Sequence, residues 1–257
     1  ETALVPYEFG LLFDEFFSPV DLVAEGTLVY AADQRGGLRV IDVSRASQPT
    51  VRSEYLRGIT ATRLDLDNSY IYLAGRSAGF WIFNVADPDD PVWISDIREQ
   101  GRSPMDVIVE DGFAYVADEL VGLVIYDVSD PRDPREIYLR VLDGQPRGVE
   151  LDNGFLYVAT FFGGIYVFDV ENPHTPREVA NLSTPGTAVE VVAENGVLFV
   201  ADITNLGIYR NTDLAVGGLS PATVIPEQHN LTVFPNPSNS EVTLSFALPA
   251  RDQVSIV

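Results

Sequence analysis

The sequence predicts an all-β chain, a five-bladed β-propeller of four-stranded antiparallel blades closed by its N-terminal segment. One segment recurs five times, as GLRVIDVSRASQP, GFWIFNVADPDDP, GLVIYDVSDPRDP, GIYVFDVENPHTP and GIYRNTD, starting at Gly37, Gly79, Gly122, Gly164 and Gly207. The steps between copies are 42, 43, 42 and 43 residues. A second segment keeps the same spacing, as VYAAD, IYLAG, AYVAD, LYVAT and LFVAD. A repeat of roughly 40 to 45 residues is typical of propeller blades.

Each unit is predicted to open with a β-hairpin. The first unit reads as four short strands, VDLVA, TLVYAA, GLRVIDV and TVRSEYL. Asp, Asn, Glu and Gly fill the turn between the first two strands of every unit, for example Asp111-Gly112, and Asn, Asp and Gly tolerate the positive φ of tight hairpins. The third strand is apolar on both faces, as in Phe80 to Phe83, which indicates a sheet covered on both sides. A β-sandwich is the alternative, but a β-sandwich would not require a strict repeat of 42 residues.

The domain boundaries follow from where the repeat begins and ends. Residues 19–213 form the five-repeat propeller, and residues 1–18 are predicted to complete its last blade, which lacks a clear fourth strand. Residues 214–230 are rich in small residues and proline and read as a linker. Residues 231–257 begin a different pattern of alternating apolar strands, which indicates a C-terminal β domain that is predicted to be truncated at Val257.

Composition narrows the range of partners. The formal net charge is -22, which disfavours nucleic acid and anionic lipid, while divalent cations, basic proteins and neutral glycans remain candidates. No apolar run is long enough to span a bilayer, so membrane insertion is not expected. The chain has no Cys and two His, His174 and His229, which leaves little material for a thiolate, a His-dependent triad or a multi-His zinc site. No cofactor is predicted.

One acidic column repeats near the end of the third strand, and in three of its four copies a proline-containing turn follows. The column contains Asp42, Asn84, Asp127 and Asp169. Such side chains accept hydrogen bonds from backbone N–H groups of turns, which is the preferred interpretation. The alternative is a structural calcium ion bound by Asp42, Asp127 and Asp169.

The loops between repeated strands differ from unit to unit and therefore hold the candidate binding residues. We predict a rim formed by these loops and by the connections between blades, with the candidates Arg35, Arg76, Arg102, Arg147, Glu119, Phe161, Phe162 and Asn205. Arginine offers a bidentate fork and phenylalanine an apolar platform, which suits a carboxylate or a sugar. The alternative is that each Arg pairs with a nearby acid such as Glu119.

The copies LRVIDVSRASQP and LVIYDVSDPRDP, each preceded by YAAD or YVAD, resemble the LVIVD repeat of secreted bacterial proteins, a propeller-forming unit. The segment LTVFPNPSNSEVTLSFALP resembles the start of the C-terminal sorting domain of type IX secretion, which implies that residues 231–257 begin an Ig-like β domain. The residues that carry this second resemblance are Val233, Phe234, Pro235, Asn236, Pro237, Leu248 and Pro249. Together the two resemblances imply export, attachment to the cell surface, and contact with secretion machinery through the C-terminal domain.

The leading hypothesis is a non-catalytic extracellular or cell-surface module that recognises a protein or a glycan. Two alternatives stay open. One is a hydrolase or lyase acting on carbohydrate with rim carboxylates and Arg, which requires two carboxylates facing a cleft. The other is a subunit of an extracellular filament or surface layer that self-assembles by donating strands.

Overall fold

The computed structural model describes residues 17–56, 58–194, 196–210, 232–235 and 242–245. The chain divides into two compact units, Glu1–Leu219 and Ser220–Val257. Five antiparallel sheets lie in the first unit and one antiparallel pair of strands in the second. No α-helix occurs within the described ranges, and accordingly none there is long and apolar enough to cross a membrane.

In every sheet the strands are ordered as they follow in the chain. The first sheet contains β1 (Pro19–Glu25), β2 (Leu28–Asp33), β3 (Gly37–Asp42) and β4 (Thr50–Leu56). The second contains β5 (Arg63–Asp67), β6 (Tyr70–Ala74), a 3-10 helix (Arg76–Ala78), β7 (Phe80–Asn84) and β8 (Val92–Ile97). The third contains β9 (Pro104–Glu110), β10 (Phe113–Asp118), β11 (Gly122–Asp127) and β12 (Arg135–Val141). The fourth contains β13 (Pro146–Asp152), β14 (Phe155–Thr160), β15 (Gly164–Asp169) and β16 (Arg177–Leu182). The fifth contains β17 (Ala188–Glu194), β18 (Val197–Asp202) and β19 (Asn205–Arg210).

The hairpins form at the predicted turns. A residue with positive φ occupies the turn between the first and second strand of each sheet, and these residues include Gly26, Asn68, Asp111, Gly112, Asn153, Gly154 and Gly196. The left-handed region is accessible to Gly and tolerated by Asn and Asp, so the turn residues set the register of each hairpin.

The sheets pack face to face, as the apolar third strands predict. Phe80, Ile82 and Phe83 are almost completely buried, and so is Trp81 on the opposite face from Phe80. One apolar cluster lies between each pair of consecutive sheets. The recurring tyrosines of the second strands are buried in these clusters, in the order Tyr30, Tyr72, Tyr115 and Tyr157.

The first strands of consecutive sheets lie side by side and give the array a propeller-like arrangement. A carboxylate on one first strand accepts a hydrogen bond from a backbone N–H of the next. These bonds are Leu64 N to Asp21 at 2.9 Å, Val109 N to Asp65 at 2.6 Å, Val149 N to Asp106 at 2.9 Å, and Ala193 N to Glu150. The first strand of each sheet is thereby joined to the first strand of the next sheet by a hydrogen bond as well as by packing.

The fifth sheet differs from the other four because it has three strands within the described residues. Residues 1–16, which contain the predicted closing strand at 3–16, lie outside the described part of the chain, as does the predicted linker 214–230. In the second unit, β20 (Thr232–Pro235) pairs with β21 (Val242–Ser245). Pro235 ends β20, whereas Asn236 and Pro237 of the predicted sorting motif lie outside the described residues.

Candidate ligand-binding site

A cavity of about 310 Å³ lies where the first strands of the sheets begin, and all five sheets contribute to its wall. We call it the axial cavity. Its lining consists of Val20, Gln34, Ala61, Thr62, Arg63, Arg76, Met105, Arg147, Phe161 and Val189. Because residues far apart in sequence meet here, the site depends on the whole array.

One repeat position supplies half of this lining. It is occupied by Val20, Thr62, Met105, Arg147 and Val189, each directly after a Pro or Ala. In four of the sheets the antiparallel register skips this residue, which marks a β-bulge. In the second sheet β5 begins one residue later, at Arg63. A bulge re-aims a side chain away from the sheet, and here it accompanies a side chain that lines the cavity.

A second repeat position comes from the loop between the second and third strands. The first residue after the second-strand segment is Gln34, Arg76 and Phe161 in sheets one, two and four, and all three line the cavity. The same position in the third sheet is Glu119, which accepts a hydrogen bond from Arg147 Nη2 at 2.6 Å. The loop position that the sequence marks as variable therefore lines the cavity in three of the five sheets.

The three arginines of the lining have different partners. Arg63 Nη2 pairs with Glu190 Oε2 at 2.5 Å, and Arg147 pairs with Glu119 while its guanidinium lies 5.2 Å from the centre of the Phe161 ring. Arg76 has neither an ion pair nor a side-chain hydrogen bond within the described residues. The Nε atoms of Arg76 and Arg147 are buried and lack an acceptor there. Among the described residues, the cavity therefore carries one guanidinium that no carboxylate neutralises.

The remaining predicted rim residues do not line the axial cavity. Arg35 and Phe162 follow Gln34 and Phe161 by one residue and are exposed; 73% of Phe162 is accessible to solvent. Asn205 is exposed in β19, where its amide donates to Thr204. Arg102 lies three residues before the bulged Met105 and pairs instead with Glu99 and Glu136. These predicted residues therefore lie one to three positions along the chain from the residues that line the cavity or from the equivalent loop position.

The acidic column of the third strands forms turns, as the preferred interpretation holds. Asp42, Asn84, Asp127 and Asp169 each accept the backbone N–H of the residue two positions later. The Ser44 hydrogen bonds lower the pKa of Asp42, and those of Ser129 do the same for Asp127. In the described ranges no group of three or more His, Asp or Glu side chains is placed to hold a metal ion. A calcium ion on this column stays an untested prediction.

Acids on the first strands behave in the opposite way. Burial, followed by the nearby Glu190, raises the pKa of Glu150 to about 7 and holds that of Asp106 well above its usual range. Burial also raises the pKa of Asp65. The backbone N–H bonds that these carboxyls accept favour the charged form, but burial outweighs them and favours the protonated form.

Five residues line the cavity although the sequence did not single them out. They are Val20, Thr62, Arg63, Met105 and Val189. A usable signal was present for four of them and for Arg147, since each residue at this repeat position follows Pro19, Ala61, Pro104, Pro146 or Ala188. Aligning the five units on that Pro or Ala would have placed Val20, Thr62, Met105, Arg147 and Val189 in one column. Arg63 has no such signal, because its column otherwise carries Asp21, Asp106, Gly148 and Glu190.

Comparisons with known proteins agree with this architecture. Among solved structures, the chain is similar to the computationally designed Ika8 protein, with a TM-score of 0.52 and 7% identity over 77% of this chain and 72% of that one. At such low identity the likeness concerns the fold alone. A search of curated proteins gives no match. Residues 20–57, 101–139 and 143–184 match the LVIVD repeat. These three matches fall on the first, third and fourth sheets, and the chain is a propeller-like repeat protein.

Proposed function

We propose that this chain is a non-catalytic recognition module, that it acts outside the cell or at the cell surface, and that its protein or glycan partner presents a group to the axial cavity. The observation that carries the proposal is one repeat position, at the start of each first strand, that lines the cavity in all five sheets. Five equivalent positions reach one cavity, yet they hold Val20, Thr62, Met105, Arg147 and Val189. A scaffold that repeats its strands and varies the residues around one opening is suited to recognition.

The chemistry of the lining supports binding rather than bond cleavage. None of the described residues that line the axial cavity is a carboxylic acid or a histidine. Two acids, Glu119 and Glu190, contact arginines of the lining, and they form ion pairs with Arg147 and Arg63 respectively. The Thr62 hydroxyl donates to the Ala74 carbonyl at 3.1 Å. Glycoside hydrolysis requires a pair of carboxyl groups on either side of the scissile bond, and this lining does not supply one.

The proposal includes closure of the array as a five-bladed propeller by residues 1–16. The fifth sheet supports it, because one face of its strands is apolar and exposed at Val192, Phe199, Leu206 and Ile208. A fourth strand and a covering segment would bury that face. Deletion of residues 1–16 should then increase binding of a dye specific for apolar surface and promote self-association. Unchanged dye binding in a monomeric variant would contradict closure by this segment.

Export is proposed from the resemblance of residues 231–257 to a sorting domain, and the pairing of β20 with β21 is compatible with a β domain there. Fusing this segment, in the context of its full native domain, to a periplasmic reporter tests the proposal in a host with type IX secretion. Reporter in the medium or on the surface supports export. Reporter retained in the periplasm contradicts it.

The binding site is tested by amide chemical-shift mapping with a library of small fragments. Perturbed amides should surround the axial cavity, and Val189→Trp should abolish them because the larger side chain fills the space. Leu120→Trp is the matched control, since Leu120 is 63% exposed in a loop of the third sheet and does not line the cavity. Both variants are first shown to keep the wild-type spectrum elsewhere. Fragments that bind only outside the cavity, or that ignore Val189→Trp, would contradict the proposed site.

A further inference from the structure

The axial cavity concentrates positive charge on a strongly acidic chain. Three of the 16 basic residues line one cavity, although the formal net charge of the chain is -22. Glu190 and Glu119 neutralise Arg63 and Arg147. Arg76 remains, so the described residues give the cavity an excess of one positive charge. A ligand with a single negative charge matches this excess, whereas a dianion would exceed it.

Arg76 is held in the lining by an unfavourable backbone conformation. Its φ is +48°, in the left-handed region that non-glycine residues rarely adopt. It lies in the short 3-10 helix between Gly75 and Gly79. Strain of this kind persists where the surrounding structure imposes it and is concentrated at binding sites. A buried guanidinium nitrogen without an acceptor is also costly, and an anion offers both the counter-charge and further acceptors.

The rest of the lining is mainly apolar. Val20, Ala61, Met105, Phe161 and Val189 supply aliphatic, thioether and aromatic surface. The polar groups are fewer: the Thr62 hydroxyl is already donated to Ala74, which leaves the exposed Gln34 amide beside the arginines. A sugar needs hydrogen-bond partners for many hydroxyl groups, and unpaired ones are penalised on burial. This wall suits an apolar body instead.

We infer that the axial cavity binds one carboxylate carried on a small apolar body, with Arg76 as the residue that pairs with the carboxylate. The inference deepens the proposed function and rests on it. The volume of about 310 Å³ is at the small end of ligand pockets, which fits an aromatic or aliphatic acid or the C-terminal apolar residue of a peptide. The guanidinium binds the carboxylate through parallel N–H bonds, and Phe161, Met105 and Val189 contact the apolar body.

The experiment compares an acid with its uncharged counterpart. Phenylacetate and phenylacetamide are titrated into the full chain by calorimetry and amide chemical-shift mapping, with glucuronate and inorganic phosphate as further probes. Phenylacetate should bind at the cavity and the other three at least about tenfold more weakly, because a hydrogen-bonded charge pair is lost or the body is too polar. Arg76→Gln should weaken phenylacetate by a similar factor. Arg45→Gln removes the same charge from an exposed turn and should leave its affinity unchanged.

The source of the carboxylate is separated by a short peptide ending in phenylalanine, used as free acid and as amide. Tighter binding of the free-acid peptide than of phenylacetate identifies a chain terminus, and weaker binding identifies a free acid; either result supports the carboxylate site. Equal binding of the free-acid and amide probes, or no effect of Arg76→Gln, overturns the inference. The proposed function is nevertheless kept if fragments bind at the cavity and Val189→Trp abolishes that binding. If neither set perturbs a cavity amide, the proposed function fails as well.

Discussion

The third and fifth sheets are copies of one repeat with different surroundings. The third has four strands and neighbours on both faces, and its second and third strands are joined by residues 119–121. The fifth has three strands in the described residues, an exposed apolar face, and a shorter turn at 203–204. The difference shows which repeated residues are required by a neighbouring strand and which are merely inherited with the repeat.

The glycine that opens each third-strand segment makes this distinction directly. A Cβ added to this glycine would lie too close to a backbone carbonyl oxygen of the fourth strand. The distance is 2.7 Å at Gly37, 2.3 Å at Gly79, 2.0 Å at Gly122 and 2.1 Å at Gly164. Their φ values are also positive. At Gly207, in the fifth sheet, the nearest atom is a ring carbon of Tyr209 at 2.5 Å. A tyrosine ring can rotate, whereas a paired strand cannot move without loss of its hydrogen bonds.

Gly122→Ala is expected to have the largest effect. The new methyl group meets the Arg140 carbonyl in a conformation that also disfavours alanine, so we expect a loss of at least about 3 kcal/mol in the free energy of unfolding. Gly207→Ala should cost less than about 1.5 kcal/mol, because only a side chain must adjust. Urea unfolding of both variants measures the difference. Equal losses would mean that the fourth strand does not impose the glycine.

The aspartate that ends the second strand gives a second matched pair. Asp118 is buried and accepts hydrogen bonds from the backbone N–H groups of Ser103 and Leu120, both at 2.9 Å. The equivalent Asp202 is also buried, but neither of its oxygens has a hydrogen-bond donor in the described part of the chain. The same residue type therefore closes a loop in one sheet and is unsatisfied in the other.

Asp118→Ala should lower the free energy of unfolding by about 2 kcal/mol, because the backbone N–H groups of Ser103 and Leu120 lose their acceptor. Asp202→Ala should be neutral or stabilising, since it removes a buried carboxylate that has no donor among the described residues. Thermal unfolding followed by circular dichroism compares the two. A loss at Asp202 as large as that at Asp118 would show that the fifth sheet has a donor for this carboxylate after all.

The sequence was informative about strands and less so about the cavity, for a physical reason. Periodicity records burial, so the apolar third strands, the packed tyrosines and the Asp-containing turns follow from it. The bulge at Arg147 changes the direction of one side chain by shifting the register, which no hydrophobic pattern records. Arg76 and Phe161 were found because loops vary, but variation did not separate Phe161 from the exposed Phe162. Arg63 was missed because it occupies a column where other units have acids or Gly.

The joint between the fourth and fifth sheets should respond to pH. Glu150 accepts the Ala193 N–H, and burial raises its pKa to about 7, above the value expected in the unfolded chain. Between the unfolded and folded pKa values the native state binds more protons, so stability is greatest at low pH in this window and falls as pH rises from about 4.5 to 7. Because Glu150 is partly exposed, we expect a change of only about 1 kcal/mol after solvent screening.

Glu150→Gln keeps an acceptor for Ala193 and removes the titration, so it should flatten part of this pH profile. Glu171→Gln is the control, because Glu171 is exposed beside the turn of the fourth sheet and removes the same charge. Melting temperatures measured across the window at constant ionic strength decide the matter. If both variants retain the wild-type slope, the response belongs to the overall negative charge or to Asp106 rather than to Glu150.

The smallest expected effect on stability separates the loops from the sheets that carry them. The fifth sheet's two-residue turn places no loop residue in the cavity, whereas the longer loop of the second sheet places Arg76 there with a φ of +48°. In Arg76→Gly the relief of about 1 kcal/mol of strain and the greater freedom of the unfolded chain nearly cancel, so stability should stay within about 1 kcal/mol of wild type. Phenylacetate affinity should nevertheless be lost. Asn68→Gly, at a φ of 46° in a hairpin turn outside the cavity, measures the backbone effect alone. A much larger loss of stability in Arg76→Gly than in Asn68→Gly would show that Arg76 has a structural role. Packing of the Arg76 side chain, and not a ligand, would then offset the strain at φ +48°.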